Sequence, residues 1–138
     1  MTPRPTGRTV ACTRAQAAVR LQHAEKFLEV ATLVESEVAT DPAMASVAAS
    51  LAVLAGIAAS DAACGATLGV RSRGQDHRQA ADLLAQVAGS DDAVKGVRRL
   101  LDLKDTANYG VIHVGSQDLR VALRAARAVL DCARAAMR

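Results

Sequence analysis

Aromatic side chains are almost absent from this chain of 138 residues, which has no Trp, one Phe and one Tyr. That excludes an aromatic core and the kind of stacking platform that grips unpaired bases. Three prolines and nine glycines are too few for a loop-rich β-fold or a long disordered chain. The three cysteines, Cys12, Cys64 and Cys132, are odd in number and form no CxxC pair. They read as reduced thiols of a cytoplasmic protein, not as a disulfide framework. Lysine is also scarce: 14 arginines and 3 lysines face 14 acidic residues, for a net charge of +3. This mild excess falls short of an obligate nucleic-acid binder. What fills the chain is alanine, at 31 positions. Alanine is the best helix former and lets helices approach closely, so an all-α fold is expected.

Residues 1–12, with Pro3, Pro5 and Gly7, read as a flexible tail without signal-peptide character, and residues 13–138 as one helical domain. Thr13 and Gln16 form a capping box for a first helix reaching about Val38. Asp41-Pro42 restarts a second helix, which ends at Gly69 and is apolar around nearly its whole circumference. Its uncharged run from Pro42 to Ser60 is built mostly of Ala and Ser, without aromatic or basic flanks. The run is therefore read as a buried central helix and no membrane contact is expected. Residues 70–74 read as a basic turn. Helices follow over about Gln75–Ala88, from Ser90 to near Tyr109, and over 117–137 with Ser116 as cap. Five helices with short connections predict an antiparallel up-and-down bundle.

Several chemistries lack their residues. Gly69 and Gly74 have a phosphate loop's glycines, but Gln75 and Asp76 stand where Lys and Ser or Thr are needed. His23, His77 and His113 have no metal-ligand spacing, and no GxSxG is present, so neither a metal nor another cofactor is expected. On an ideal helix Arg120, Arg124, Arg127, Arg134 and Arg138 fall within about 80° of one another. This stripe is either a solvated face or a basic surface that tracks phosphates. Asp61 is an isolated carboxylate on the apolar second helix and needs a partner. A polar cluster of Asp61, His77, Lys104 and Tyr109, with Arg73 beside it, is expected where the second, third and fourth helices meet.

Two segments carry a sharper pattern: DAACGATLGVRSRGQDHRQAADLL at 61–84 and LLDLKDTANYGVIHVGSQDLRVALRAARAVLDCA at 100–133. An Ala-rich helix ends in Leu-Gly, a basic turn follows, and His opens a helix carrying Ala-x-x-Leu-Leu. Later come Lys-Asp-x-Ala-x-Tyr-Gly, a serine and an Ala-rich last helix. This resembles the HEPN superfamily of small prokaryotic helical domains, and its short actinobacterial members most of all. The resemblance implies a four- or five-helix bundle that dimerises. It also implies either a metal-independent endoribonuclease of toxin–antitoxin or defence systems, or a non-catalytic partner of a nucleotidyltransferase or antitoxin. Active members carry an arginine followed, after roughly four to six residues, by a histidine that moves protons while the arginine holds phosphate charge. Here Lys104 to Tyr109 occupies that place, with Lys for Arg and Asn108 where no proton can shuttle. Arg71 and His77 have the right spacing at an earlier place.

The leading expectation is therefore a non-hydrolytic interaction module. It would form a homodimer and present Arg71, Arg73, Arg78 and the last-helix arginines to RNA, a nucleotide or a partner protein. The alternative is an endoribonuclease using Arg71 and His77. A structural oligomer without ligand is the third.

Overall fold

The computed structural model describes residues 8–73 and 77–138, apart from the side chain of His77. The fold is all-α. Its order is β1 (Thr9–Ala11), α1 (Arg14–Glu35), α2 (Ala43–Leu68), β2 (Val70–Ser72), α3 (His77–Leu84), α4 (Asp91–Tyr109) and α5 (Ser116–Ala136).

α1 starts as its sequence dictates. The Thr13 hydroxyl accepts the Gln16 N–H at 3.1 Å, and the Gln16 side chain accepts the Thr13 N–H at 2.9 Å. Regular helix stops at Glu35, and single turns carry the chain to Thr40, short of the expected end at Val38. Asp41 Oδ1 accepts the Ala43 N–H at 3.1 Å, but Pro42, not Asp41, is the cap residue of α2 and the helix start has no side-chain cap. Gly69 ends α2 in the left-handed region at φ 75°, where a side chain would be strained. α3 is shorter than expected, because the chain leaves the helix after Leu84 and turns to Gly89 at φ 72°. Ser90 flanks α4 but makes no side-chain cap bond, and Gly115, not Ser116, is the cap residue of α5.

The tail expected over residues 1–12 is corrected for its last part, since Thr9–Ala11 pairs antiparallel with Val70–Ser72, Val10 opposite Arg71. The Cys12 N–H then donates to the Gly69 carbonyl at 2.9 Å, and Cys12 is buried. The basic turn is thus a short strand. Residues 1–7 of the tail lie outside the described residues.

α2 is the hub and packs against α1, α4 and α5. Small side chains make this possible: from Ala45 to Gly65, fifteen of its residues are buried, among them nine alanines and two glycines. Gly56 admits the Leu100 side chain, and Gly65 admits Cys12. The α2–α4 register is antiparallel. Gly56 meets Leu100, and one to two turns nearer the start of α2 the Ser50 hydroxyl donates to the Ala107 carbonyl at 3.0 Å. The Ser46 hydroxyl accepts the Val114 N–H at 3.0 Å, which ties the α4–α5 connection to α2. α1 and α5 are also antiparallel, Arg14 donating to the Met137 carbonyl at 2.7 Å and Arg134 lying 3.8 Å from Glu25.

By length and composition α2 could cross a membrane, with a mean hydropathy of 1.9 over its most apolar stretch. More than half of that stretch is buried by the protein itself.

A methyl group added at Gly96 would lie 2.8 Å from the Ala125 backbone carbonyl, so α4 and α5 would have to separate. Gly96→Ala is expected to lower stability by about 1–2 kcal/mol even after the gain in helix propensity. Gly115→Ala, whose methyl would meet nothing within 4 Å, is expected to cost less, under about 1 kcal/mol, from the poorer capping of alanine alone. Urea unfolding of both variants checks this.

Candidate anion site

The side chain that organises the site is Asp61, on the face of α2 between α1 and α4. It is almost fully buried, and so it needs a partner. α1 supplies one: Arg20 Nε donates to Asp61 Oδ2 at 3.1 Å, with Nη2 at the same distance. Arg20 Nη1 also lies 3.3 Å from His23 Nδ1. A guanidinium only donates, so Nδ1 is the acceptor wherever this contact is a hydrogen bond. Arg20 reaches inward because it shares the helical stripe of Ala17, Ala24, Leu28 and Ala31, the buried side of α1.

Above this pair lies the β-ribbon. Arg71 of β2 and Arg73 just after it line the same cavity as Arg20 and Asp61, a space of about 250 Å³. Ser60 and Ser72 lie in its wall, and Ile57, Val97 and Leu101 close its apolar side. The ribbon holds the two arginines in place through strand pairing and through the Arg73 N–H, which donates to the Arg8 carbonyl at 2.9 Å. The cavity wall therefore combines three arginines with one carboxylate, which Arg20 contacts and whose charge Arg71 also feels. The Ser72 hydroxyl is buried and has no hydrogen-bond partner among the described residues.

Burial pushes the Asp61 carboxyl above the ordinary carboxylate range, and Arg20 and Arg71 pull it part of the way back. Burial, reinforced by the Asp61 charge, also pushes the Cys64 thiol up to about 12. Cys12 and Cys132 are raised as well, chiefly by burial. All three thiols are free and poor nucleophiles near neutral pH.

Arg71, Arg73 and Asp61 come together as part of one site, but the wider cluster expected from sequence does not form. Tyr109 is 78% exposed. The Ser50–Ala107 contact places it near the level of Ser50, about three turns and roughly 16 Å along α2 from Asp61. Lys104 sits half-buried on α4 at an intermediate level and is not part of the cavity wall. The side chain of His77 lies outside the described residues, so the Arg71–His77 pair does too. Arg20 is the residue that sequence reasoning missed. Its signal was present in the inward stripe of α1, where an arginine stands one turn from Ala17 and Ala24.

The last-helix arginines, Arg120, Arg124, Arg127, Arg134 and Arg138, are all exposed. They do not make an unbroken basic face. Arg134 lies between Glu25 and Asp131, at 3.8 and 3.9 Å, and Arg127 shares a surface depression with Glu25, Glu29 and Asp131. Arg120 donates to Gln117 at 2.8 Å. Among the described residues no group of His, Cys, Asp and Glu side chains is placed to hold a metal ion.

No protein-family model matches the chain, and no curated protein matches it to a significant degree.

A carboxyl whose pKa is higher in the folded than in the unfolded state takes up a proton on folding. Its contribution is fully present in acid and is lost as pH rises through the raised value. Asp61→Asn removes that loss. The melting temperature of the variant minus that of the wild type is expected to become more positive from about pH 3 to about pH 7. Parallel thermal melts across that range check the sign.

Proposed function

We propose that the chain is a HEPN-type helical interaction module, an antiparallel up-and-down five-helix bundle that acts without hydrolysis as a cytoplasmic homodimer. Its ligand is phosphate-bearing, a nucleotide or the end of an RNA strand, and it is held at the Arg20–Asp61–Arg71–Arg73 cavity. The observation that carries this reading is the charge excess there: three arginines share a single carboxylate, and that carboxylate is already engaged by Arg20. Neither Arg71 nor Arg73 forms an ion pair within 4.0 Å among the described residues. A phosphate supplies the missing anion and accepts from guanidinium donors in the geometry arginine favours. The scarcity of aromatics supports contact through phosphate and sugar over base stacking. The α5 stripe is a weaker candidate surface, since Glu25, Glu29 and Asp131 interrupt it.

The test is binding of a 5′-phosphorylated single-stranded RNA of about 12 nucleotides, followed by fluorescence anisotropy at several salt concentrations. Arg71→Ala and Arg73→Ala are each expected to weaken binding about tenfold or more, as loss of a charged hydrogen bond does. The double variant is expected to flatten the salt dependence by about 1.4 in log–log slope. Arg124→Ala with Arg127→Ala is expected to change affinity less than about twofold. Cleavage of the RNA by the wild type, abolished in His77→Ala, would replace this reading with the endoribonuclease.

A further inference from the structure

The cavity is bipolar, and its two ends ask for different groups. At the ribbon end Arg71 and Arg73 present positive charge, with the Ser72 hydroxyl unpartnered in the same wall. At the helix end the Asp61 carboxylate faces the cavity as well, one of its oxygens engaged by Arg20. A bare anion would be attracted to the first end and repelled from the second. A polymer of phosphates would meet the same repulsion and would not fit, because about 250 Å³ lies below the usual span of roughly 300–1,000 Å³ for small-molecule pockets. Ile57, Val97 and Leu101 give the same cavity an apolar side.

From this arrangement we infer that the cavity selects one small phosphomonoester whose organic part carries hydroxyl donors, the chemistry of a ribose 5-phosphate unit. The phosphate lies against Arg71 and Arg73, and Asp61 accepts from a sugar hydroxyl, so that a carboxylate which repels free phosphate becomes the selective element. A free nucleoside monophosphate and the 5′ end of a strand both carry this unit. The inference rests on the anion-binding reading above and narrows it to one ligand class.

Titration calorimetry of the full chain with ribose 5-phosphate, inorganic phosphate and ribose tests it. Ribose 5-phosphate is expected to bind at least tenfold tighter than either fragment. Arg73→Ala, at an exposed position, is expected to weaken ribose 5-phosphate and phosphate alike by about tenfold. Asp61→Asn is expected to reduce the preference for ribose 5-phosphate over phosphate at least threefold, with phosphate binding unchanged or tighter. Adenosine monophosphate and a 5′-phosphorylated RNA then separate the two sources: tighter binding of the first assigns a free nucleotide, and of the second a strand end. Equal affinity for ribose 5-phosphate and phosphate, or a preference that survives in Asp61→Asn, overturns the inference and leaves the anion-binding reading standing. Absence of binding by every phosphate probe overturns both.

Discussion

A carboxylate in the middle of an apolar helix cannot be left alone, and the Arg20–Asp61 pair is how this fold meets that requirement. α2 is the hub against which the other long helices pack, so a charge on it is surrounded by protein on most sides. Leaving that charge unpaired would cost several kcal/mol. Pairing it fixes the rotation of α1, because Arg20 must face inward on the same stripe as Ala17 and Ala24. It also explains why the cavity is there. A long guanidinium and a short carboxylate do not fill space as two leucines would, and the ribbon closes over the gap with two further arginines.

The rest of the packing follows from small side chains. With so few aromatic groups, cohesion comes from many close contacts between backbones and methyl groups, which fall off steeply with distance. Gly56 opposite Leu100, Gly65 opposite Cys12 and Gly96 opposite Ala125 mark the tightest approaches. Such an interface has little to set its register, since alanines slide past one another with little change in contact. Hydrogen bonds do that here. Ser50 to Ala107 and Val114 to Ser46 fasten α2 to the end of α4 and to the connection that follows it.

The helices were legible because their signals are local: the capping box at Thr13 and the glycine stop at Gly69 each act within a few residues. The β-ribbon was not, because Thr9–Ala11 and Val70–Ser72 are too short to show alternation, and each is a strand only through its distant partner. The site was legible by half. An isolated Asp61 announced that a partner was needed, and Arg71 and Arg73 stood out as a basic run. Tyr109 was drawn in by its proximity in sequence to Lys104. The antiparallel register carries it to the other end of α2, which only three-dimensional packing reveals. Arg20 escaped notice because an arginine on a helix reads as surface until the inward stripe beside it is traced.

On the proposed reading, the ribbon would link ligand occupancy to the integrity of the whole molecule. Arg71 and Arg73 are held by a strand whose partner comes from the start of the described chain, while Arg20 and Asp61 come from two different helices. No part of the chain alone can assemble this constellation, so an occupant would favour the fully folded state over every partly opened one. At a hundredfold excess over its dissociation constant the gain is about 2.7 kcal/mol. Loosening of the first strand would then act as a drain on affinity, and the saturated protein would resist proteolysis at its amino-terminal edge.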